Sequence, residues 1–272
     1  GGASLFGGGV AIGRLLRLDS QRGDYRRSWE NHNLATLECL RQLDEHPEGE
    51  RPYLIVSLGD SSVQGMGASR VTESYPARLA SAITQQMDRE VLLLNLSLSG
   101  ATIESVELTQ LPQMRGLGLL DGPFRPDLVT LTIGGNDVMA EDMAPGQFEE
   151  RLRRILAALP SGALVSTIPS FGIMPQESRA QDMSDRIRAA VEDSDAHLVD
   201  LRSLTQEYSL PTYTFAYHAA DFFHPNSAAY AKWAQLFADA WAESRCESAP
   251  VVEDAPQWDM LSARVAQSEY DD

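Results

Sequence analysis

Length, composition and charge narrow what this chain can be. It has 272 residues, 43% of them apolar and 22% charged, which is ordinary globular composition and excludes disorder over most of the chain. The 39 acidic and 22 basic residues give a net charge of -17, which repels phosphate backbones, so we expect no nucleic-acid partner. Two cysteines are too few for a disulfide framework or a multi-thiolate metal site. The length suits one large α/β domain or two small ones.

The start of the chain carries no clear membrane or secretion signal. Its longest uncharged stretch, residues 3–13, is about half the roughly 20 residues that span a bilayer. No basic flank precedes this stretch and no small-residue cleavage site follows it. We therefore expect no transmembrane segment and a cytoplasmic location, unless a targeting segment has been removed before Gly1. All basic residues except Lys232 are arginine, a bias associated with GC-rich bacterial genomes.

The first predicted element is a helix over residues 25–45. Its leucines recur at every third position. Because a helix has about 3.6 residues per turn, this stripe turns slowly around the helix, but it can still pack against one face of a domain. These leucines are Leu34, Leu37, Leu40 and Leu43. Proline and glycine then interrupt the chain over residues 47–52, and residues 53–59 form an apolar run of strand length. We take residue 53 as the start of the main domain.

Apolar runs and amphipathic helical patterns alternate from there on. The further strand candidates are residues 91–98, 127–133, 163–168 and 197–201. The helical stripes are Tyr75, Leu79, Ile83 and Met87; Phe148, Leu152, Ile155 and Leu156; Met183, Ile187 and Val191; and Tyr230, Trp233, Phe237 and Trp241. Near-continuous apolar strands separated by amphipathic helices predict a parallel sheet covered on both faces.

Chemically capable residues follow three of these strands, where a parallel sheet collects its functional groups. Ser61 follows the first strand, although a serine here is also typical of a helix cap. Gly100 follows the second strand and lets a backbone N–H approach a ligand closely. The third strand ends in Gly134-Gly135-Asn136-Asp137, in which Asn136 offers two amide donors, and turn chemistry is the alternative interpretation.

A candidate general base precedes the last helix. His224 lies three residues after Asp221, a spacing at which a carboxylate in a turn can reach the imidazole. His218, three residues before Asp221, is the competing base. We interpret the remaining histidines, His32, His46 and His197, as structural.

These four segments together resemble the SGNH hydrolases, also called the GDSL esterase/lipase family. The family's blocks are matched, in the family's order, by Gly59-Asp60-Ser61, Gly100, Gly134-Gly135-Asn136-Asp137 and Asp221-Phe222-Phe223-His224. The resemblance spans about residues 53–243. The sequence departs from the family at Ser62, where a leucine is usual. We interpret this as a packing position that affects substrate fit more than activity.

The resemblance implies a three-layer α/β/α, flavodoxin-like sandwich with five parallel strands. It also implies Ser61 as nucleophile, His224 as general base and Asp221 as the group that orients His224. The oxyanion hole would consist of the backbone N–H groups of Ser61 and Gly100 and the side-chain amide of Asn136. No metal and no organic cofactor is implied.

We therefore predict a serine esterase that cleaves carboxylic esters of small or lipid-like molecules through an acyl-serine intermediate. The apolar candidates Met66, Phe222 and Phe223 slightly favour an acyl chain, although core packing also explains them. One alternative is a carbohydrate O-acetyl esterase, and another is a non-catalytic binding protein with the same fold.

The chain divides into three predicted parts. We expect an N-terminal extension over residues 1–52, a hydrolase domain over 53–243 and an acidic tail over 244–272. In the tail, Trp258, Leu261 and Val265 can form a short docking helix.

Overall fold

The fold is taken from a computed structural model. The structure describes residues 4–45, 51–140, 142–207 and 224–263, and within the first of these ranges it describes side chains for residues 20–44. None of the helices in these ranges is both long enough and apolar enough to cross a membrane.

A parallel sheet of five strands forms the centre of the described chain. The strands are β1 (Tyr53–Gly59), β2 (Val91–Asn95), β3 (Leu128–Thr132), β4 (Leu164–Ser166) and β5 (His197–Val199). Their order is β2-β1-β3-β4-β5, with every pair parallel. Ser57 of β1 lies opposite Asn95 on one side and Thr130 on the other. This is the flavodoxin-like order, and it confirms the predicted fold class.

Helices surround the sheet. They are α1 (Ser4–Glu45), α2 (Tyr75–Met87), α3 (Ile103–Ser105), α4 (Leu111–Gly116), α5 (Gly135–Ala140), α6 (Pro145–Ala158), α7 (Glu177–Glu192), α8 (Leu201–Gln206) and α9 (Ser227–Ser244). A π-helical turn, Val106–Gln110, joins α3 to α4. The sequence pattern predicts no helix over residues 103–116. Pro112, near the start of α4, explains this missing pattern. Proline has no N–H to donate to the helical ladder, and the chain before it forms a π-helical turn in place of regular α-helix.

Two hydrophobic cores lie on opposite faces of the sheet. Leu54 and Val56 of β1 point into the core that α6 and α7 cover, whereas Ile55 points into the core that α2 and α9 cover. In the second core the ring of Tyr75 stacks on Phe237 with centroids 4.4 Å apart. The amphipathic stripes predicted for these helices are therefore their buried faces.

Helix α1 differs from its prediction in extent and in contact face. It begins at Ser4 rather than at residue 25, and Leu34 of the predicted leucine stripe is 66% exposed. The buried side chains instead recur at three- and four-residue intervals, as a single helix face requires. They are Tyr25, Trp29, His32, Thr36 and Leu40. Four of these five carry polar groups, so a search for aliphatic residues alone does not detect this face.

Polar side chains of α1 bind the outer strand of the sheet. The Asn33 amide donates to the Asn95 carbonyl at 2.7 Å and accepts from the Asn95 N–H at 3.0 Å. The His32 Nε2 atom donates to the Leu93 carbonyl at 2.8 Å, while its Nδ1 atom accepts from the Leu261 N–H at 2.9 Å. His32 therefore has the structural role that was expected of it.

The chain after α9 packs back onto the domain. Trp258 and Met260 are buried, and the Ser81 hydroxyl donates to the Pro256 carbonyl at 2.5 Å. Leu261 is helical, as are residues 262 and 263, while Val265 lies outside the described residues. The predicted boundaries at residues 52 and 243 stay predictions, but described segments on both sides of them pack directly against the sheet domain.

Candidate active site

The structure brings together a serine and a histidine that are 163 positions apart in the chain. The Ser61 Oγ atom lies 2.9 Å from the His224 Nε2 atom. Ser61 follows β1 and is 5% exposed, and His224 lies three residues before the first residue of α9. This is the hydrogen-bond distance at which an imidazole can remove a hydroxyl proton.

Gly59 makes the tight exit from β1 possible. Its φ of +140° lies outside the range that residues with a side chain readily adopt, and a Cβ atom here would lie 2.0 Å from the Thr132 carbonyl oxygen. The buried Gln110 amide holds both of its backbone groups: it accepts from the Gly59 N–H and donates to the Gly59 carbonyl, each at 2.8 Å. The backbone immediately before Ser61 is thus fixed from both sides.

The loop over residues 61–69 begins at Ser61, the candidate nucleophile, and consists of turns and bends. Its carbonyl groups do not belong to a helix or a sheet. Four of these carbonyls accept hydrogen bonds from side chains elsewhere in the fold, which satisfies buried polar groups. The pairs are Asn95 Nδ2 to Val63 at 3.0 Å, Trp29 Nε1 to Gln64 at 3.0 Å, Tyr230 Oη to Met66 at 2.7 Å and Tyr25 Oη to Ala68 at 2.9 Å. We refer to residues 61–69 as the nucleophile loop.

Gly100 lies at the carboxyl end of β2 with a φ of +79°, and a Cβ atom there would meet no atom within 4 Å. A side chain at this position would therefore point into open space, and it is the left-handed backbone that favours glycine here. Within the ranges that the structure describes, the N–H groups of Ser61 and Gly100 donate to no protein group. Both N–H groups thus remain available to an external acceptor.

Asn136 and Asp137 hold the segment after Gly100. Asn136 Nδ2 donates one hydrogen to the Ala101 carbonyl at 2.8 Å, which orients the amide and leaves its second hydrogen. Both carboxylate oxygens of Asp137 accept from the Ile103 N–H at 3.1 Å. Burial raises the pKa of Asp137 to about 6. Asp137 therefore fixes the backbone at Ile103, a contact that the sequence blocks did not reveal.

The start of α9 anchors the segment that carries His224, the candidate base. The Asn226 side chain caps the helix by accepting from the N–H groups of Ala228 and Ala229 at 3.0 and 3.1 Å. The Ser227 hydroxyl accepts from the Ser69 N–H at 2.9 Å, so the base segment is tied to the nucleophile loop. The predicted Asp221, the competing His218, and both Phe222 and Phe223 lie outside the described residues.

Ser62 has a different environment from the one expected. Its hydroxyl and its N–H both donate to Oδ1 of the buried Asp60, at 2.7 and 2.9 Å. Burial raises the pKa of Asp60, while the bonds from Ser62 and the charge of His224 oppose that rise. Ser62 thus makes a polar contact with the carboxylate next to Ser61 and not the apolar packing contact expected of it, while its effect on substrate fit stays a prediction.

Apolar side chains near the site are distributed differently from the prediction. Met66 is 2% exposed, which agrees with core packing, the alternative given for it from the sequence. Two residues that the sequence did not single out are exposed instead: Leu98, beside Gly100, and Met139, three residues after Asn136. No group of three His, Cys, Asp or Glu side chains suited to a metal ion occurs among the described residues.

Comparison with known proteins places these features in a family. The model of the GDSL-like Lipase/Acylhydrolase family matches residues 57–232, about two thirds of the chain. A search of curated proteins finds no match.

Several solved structures resemble the described fold. An alpha/beta hydrolase enzyme from the metagenome of Lake Arreo, Spain, is 23% identical with a TM-score of 0.54, and the match covers 70% of this chain and 94% of that one. For an acetylxylan esterase from Geobacillus stearothermophilus the identity is 17%, the TM-score 0.53 and the coverage 70% and 94%. For a lipase from a goat rumen metagenome the values are 17%, 0.54, 69% and 97%. At these identities the likeness shows the fold.

The matched residues include Ser61, Gly100, Asn136 and His224, the described positions that the sequence blocks singled out for chemistry. The fold around them is that of known esterases and lipases. The chain therefore belongs to the GDSL-like lipase/acylhydrolase family and is an ester-cleaving hydrolase.

Proposed function

We propose that the protein is a serine esterase that cleaves carboxylic esters of small or lipid-like molecules through an acyl-serine intermediate. The observation that carries this proposal is the 2.9 Å contact between the Ser61 hydroxyl and the His224 imidazole. A serine hydroxyl is a weak nucleophile at neutral pH unless an adjacent base accepts its proton as it attacks.

In the proposed first step, Ser61 Oγ attacks the ester carbonyl carbon while its proton moves to His224 Nε2. The tetrahedral intermediate collapses, its bond to the alcohol oxygen breaks, and His224 returns the proton to the departing alcohol. Water then attacks the acyl carbon, giving one proton to His224, and the carboxylic acid leaves as Ser61 regains its hydrogen. Asp221 would accept a hydrogen bond from Nδ1 of His224 and stabilise its charged form.

The oxyanion of the intermediate would accept hydrogen bonds from the N–H groups of Ser61 and Gly100 and from Asn136. Two observations support this assignment: both N–H groups donate to no described protein group, and the Asn136 amide retains one hydrogen after its bond to Ala101. Such donors act on charge that develops in the transition state, so the loss of one typically slows turnover on the order of 10² to 10³-fold.

Exposed apolar residues near the site bear on the acyl group of the substrate. The exposed Leu98 and Met139 support an apolar acyl group, since each lies within three residues of a proposed oxyanion donor. The alternative is a short acetyl group on a carbohydrate, because a similar fold occurs in an acetylxylan esterase.

Two experiments test this proposal. A fluorophosphonate probe should label the wild type and the Ser62→Ala variant but not the Ser61→Ala variant; folded wild-type protein that resists labelling would instead favour the non-catalytic alternative. Rates on nitrophenyl acetate, butyrate, octanoate and laurate, compared with acetate release from an acetylated xylan, separate the acyl hydrolase from the carbohydrate esterase.

A further inference from the structure

We propose that the N-terminal helix is part of the catalytic apparatus. Tyr25 and Trp29 of α1 would be positioning residues that hold the nucleophile loop in its reactive geometry. This inference rests on the proposed function, since it assigns a role in the reaction of Ser61. It concerns residues outside the family match, which begins at residue 57.

The contacts are directed at the loop itself. The Trp29 indole N–H donates to the Gln64 carbonyl, and the Tyr25 hydroxyl and the Gln21 amide both donate to the Ala68 carbonyl, the latter at 3.1 Å. Tyr25 is 8% exposed and Trp29 is 2% exposed. The bonds from Tyr25 and Trp29 are therefore buried hydrogen bonds between a distant helix and the backbone three to seven residues after Ser61, whereas the bond from Gln21 is partly buried.

The same contacts connect to the proposed oxyanion hole. The side chain of Gln64 donates to the Ser97 carbonyl at 2.9 Å and accepts from the Ser99 hydroxyl at 2.7 Å. Because Trp29 holds the backbone of Gln64, and Gln64 holds the residue before Gly100, a shift of α1 is transmitted to both loops that would supply the oxyanion donors.

Residues that follow α9 also pack against α1. The ring of Trp258 stacks on Trp29 with centroids 6.3 Å apart and meets the edge of His32 at 4.8 Å. The Leu261 N–H donates to His32 Nδ1. The described part of the predicted acidic tail thus packs against the helix face that holds the nucleophile loop.

The test uses the full chain with the double variant Tyr25→Phe, Trp29→Phe, which removes both donors and keeps an aromatic ring at each position. We expect kcat on nitrophenyl acetate to fall about 10-fold with KM changed less than twofold, because misplacement of a nucleophile slows the chemical step rather than binding. Amide hydrogen exchange at Met66, whose N–H donates to the Ser61 carbonyl at 3.0 Å, should become faster. If the double variant does not fold, Tyr25→Phe alone removes a single hydroxyl and the same readouts apply.

The matched control is Leu40→Ala on the same helix. Leu40 is 4% exposed and lies 15 positions from Tyr25, about 22 Å along the helix. Leu40→Ala should lower the melting temperature but leave kcat unchanged. If the double variant keeps wild-type kcat and Met66 exchange while melting earlier, as Leu40→Ala does, α1 is merely structural and the proposal is overturned. An inactive wild type would refute the proposed function instead. The exchange measurement at Met66 would still show whether Tyr25 and Trp29 keep the nucleophile loop in place.

Discussion

Replacing Asp137 by asparagine should change how the stability of the protein depends on pH. Asp137 is 1% exposed, and burial raises its pKa to about 6 from an ordinary value of 3.8, with the charge of Asp60 adding to the rise. A raised folded-state pKa means that folding favours the protonated acid. The contribution of Asp137 to stability is therefore full below pH 3.8 and is lost as the pH rises through 6. The asparagine side chain cannot ionise, so the variant loses nothing over this interval.

The size of the effect follows from the two pKa values. A difference of about two units corresponds to roughly 3 kcal/mol of lost wild-type stability at pH 7, at about 1.36 kcal/mol per unit. At pH 5 only about half of this loss has occurred, since the folded-state carboxyl is still mostly protonated. Relative to wild type, Asp137→Asn should therefore gain on the order of 1 kcal/mol between pH 5 and pH 7.

Urea unfolding followed by fluorescence of the four tryptophans measures this gain. Comparing the two pH values removes any constant loss from a weaker hydrogen bond to Ile103. Asp200→Asn is the control: burial raises the pKa of Asp200, but hydrogen bonds from Ser203 and Thr167 outweigh it and lower the pKa. The contribution of Asp200 to stability changes only below pH 3.8. The difference in free energy of unfolding between Asp200→Asn and wild type should therefore be the same at pH 5 and pH 7. If the difference between Asp137→Asn and wild type is also the same at both pH values, our account of the Asp137 carboxyl is refuted.

Further changes test other parts of the site. Asn136→Ala should reduce kcat on the order of 10² to 10³-fold in a nitrophenyl ester assay while slow fluorophosphonate labelling persists, and an undiminished kcat would exclude it from the oxyanion hole. His224→Ala should abolish turnover and His218→Ala should not; the reverse pattern would make His218 the base. Gly59→Ala should lower the melting temperature by several degrees or prevent folding, because its Cβ would collide with the Thr132 carbonyl; an unchanged melting curve would contradict the backbone conformation described.

The predictions that succeeded rest on local patterns. Strands β1 to β4 are runs of buried, mostly apolar residues. Ser61, Gly100 and Asn136 follow strands and His224 precedes the last helix, as the order of the sequence blocks predicted. Strand β2 is shorter than predicted, ending at Asn95 instead of residue 98. There the Asn95 side chain accepts from the Ser97 N–H and hydroxyl, which bends the chain locally. The N–H groups of Leu96 and Leu98 still donate to the Ser57 and Gly59 carbonyls of β1, at 2.9 and 3.1 Å.

The features that the sequence did not reveal depend on side chains that bind distant backbone. Gln64 and Gln110 look like ordinary polar residues, yet both are buried because carbonyl and N–H groups from other segments satisfy them. The contact face of α1 was missed for the same reason, as its aromatic, histidine and threonine side chains carry polar atoms. Such partners are set by the tertiary arrangement, which hydrophobic periodicity does not encode.

The binding of α1 along β2 also bears on how the domain can be shortened. β2 is the outermost strand at its side of the sheet, and His32 and Asn33 bind the carbonyl of Leu93 and both backbone groups of Asn95 on its outward edge. A chain trimmed to begin at residue 52 would keep all the proposed catalytic residues but leave this edge bare. A bare strand edge is a template for pairing with another chain, so the trimmed enzyme should self-associate and precipitate during expression.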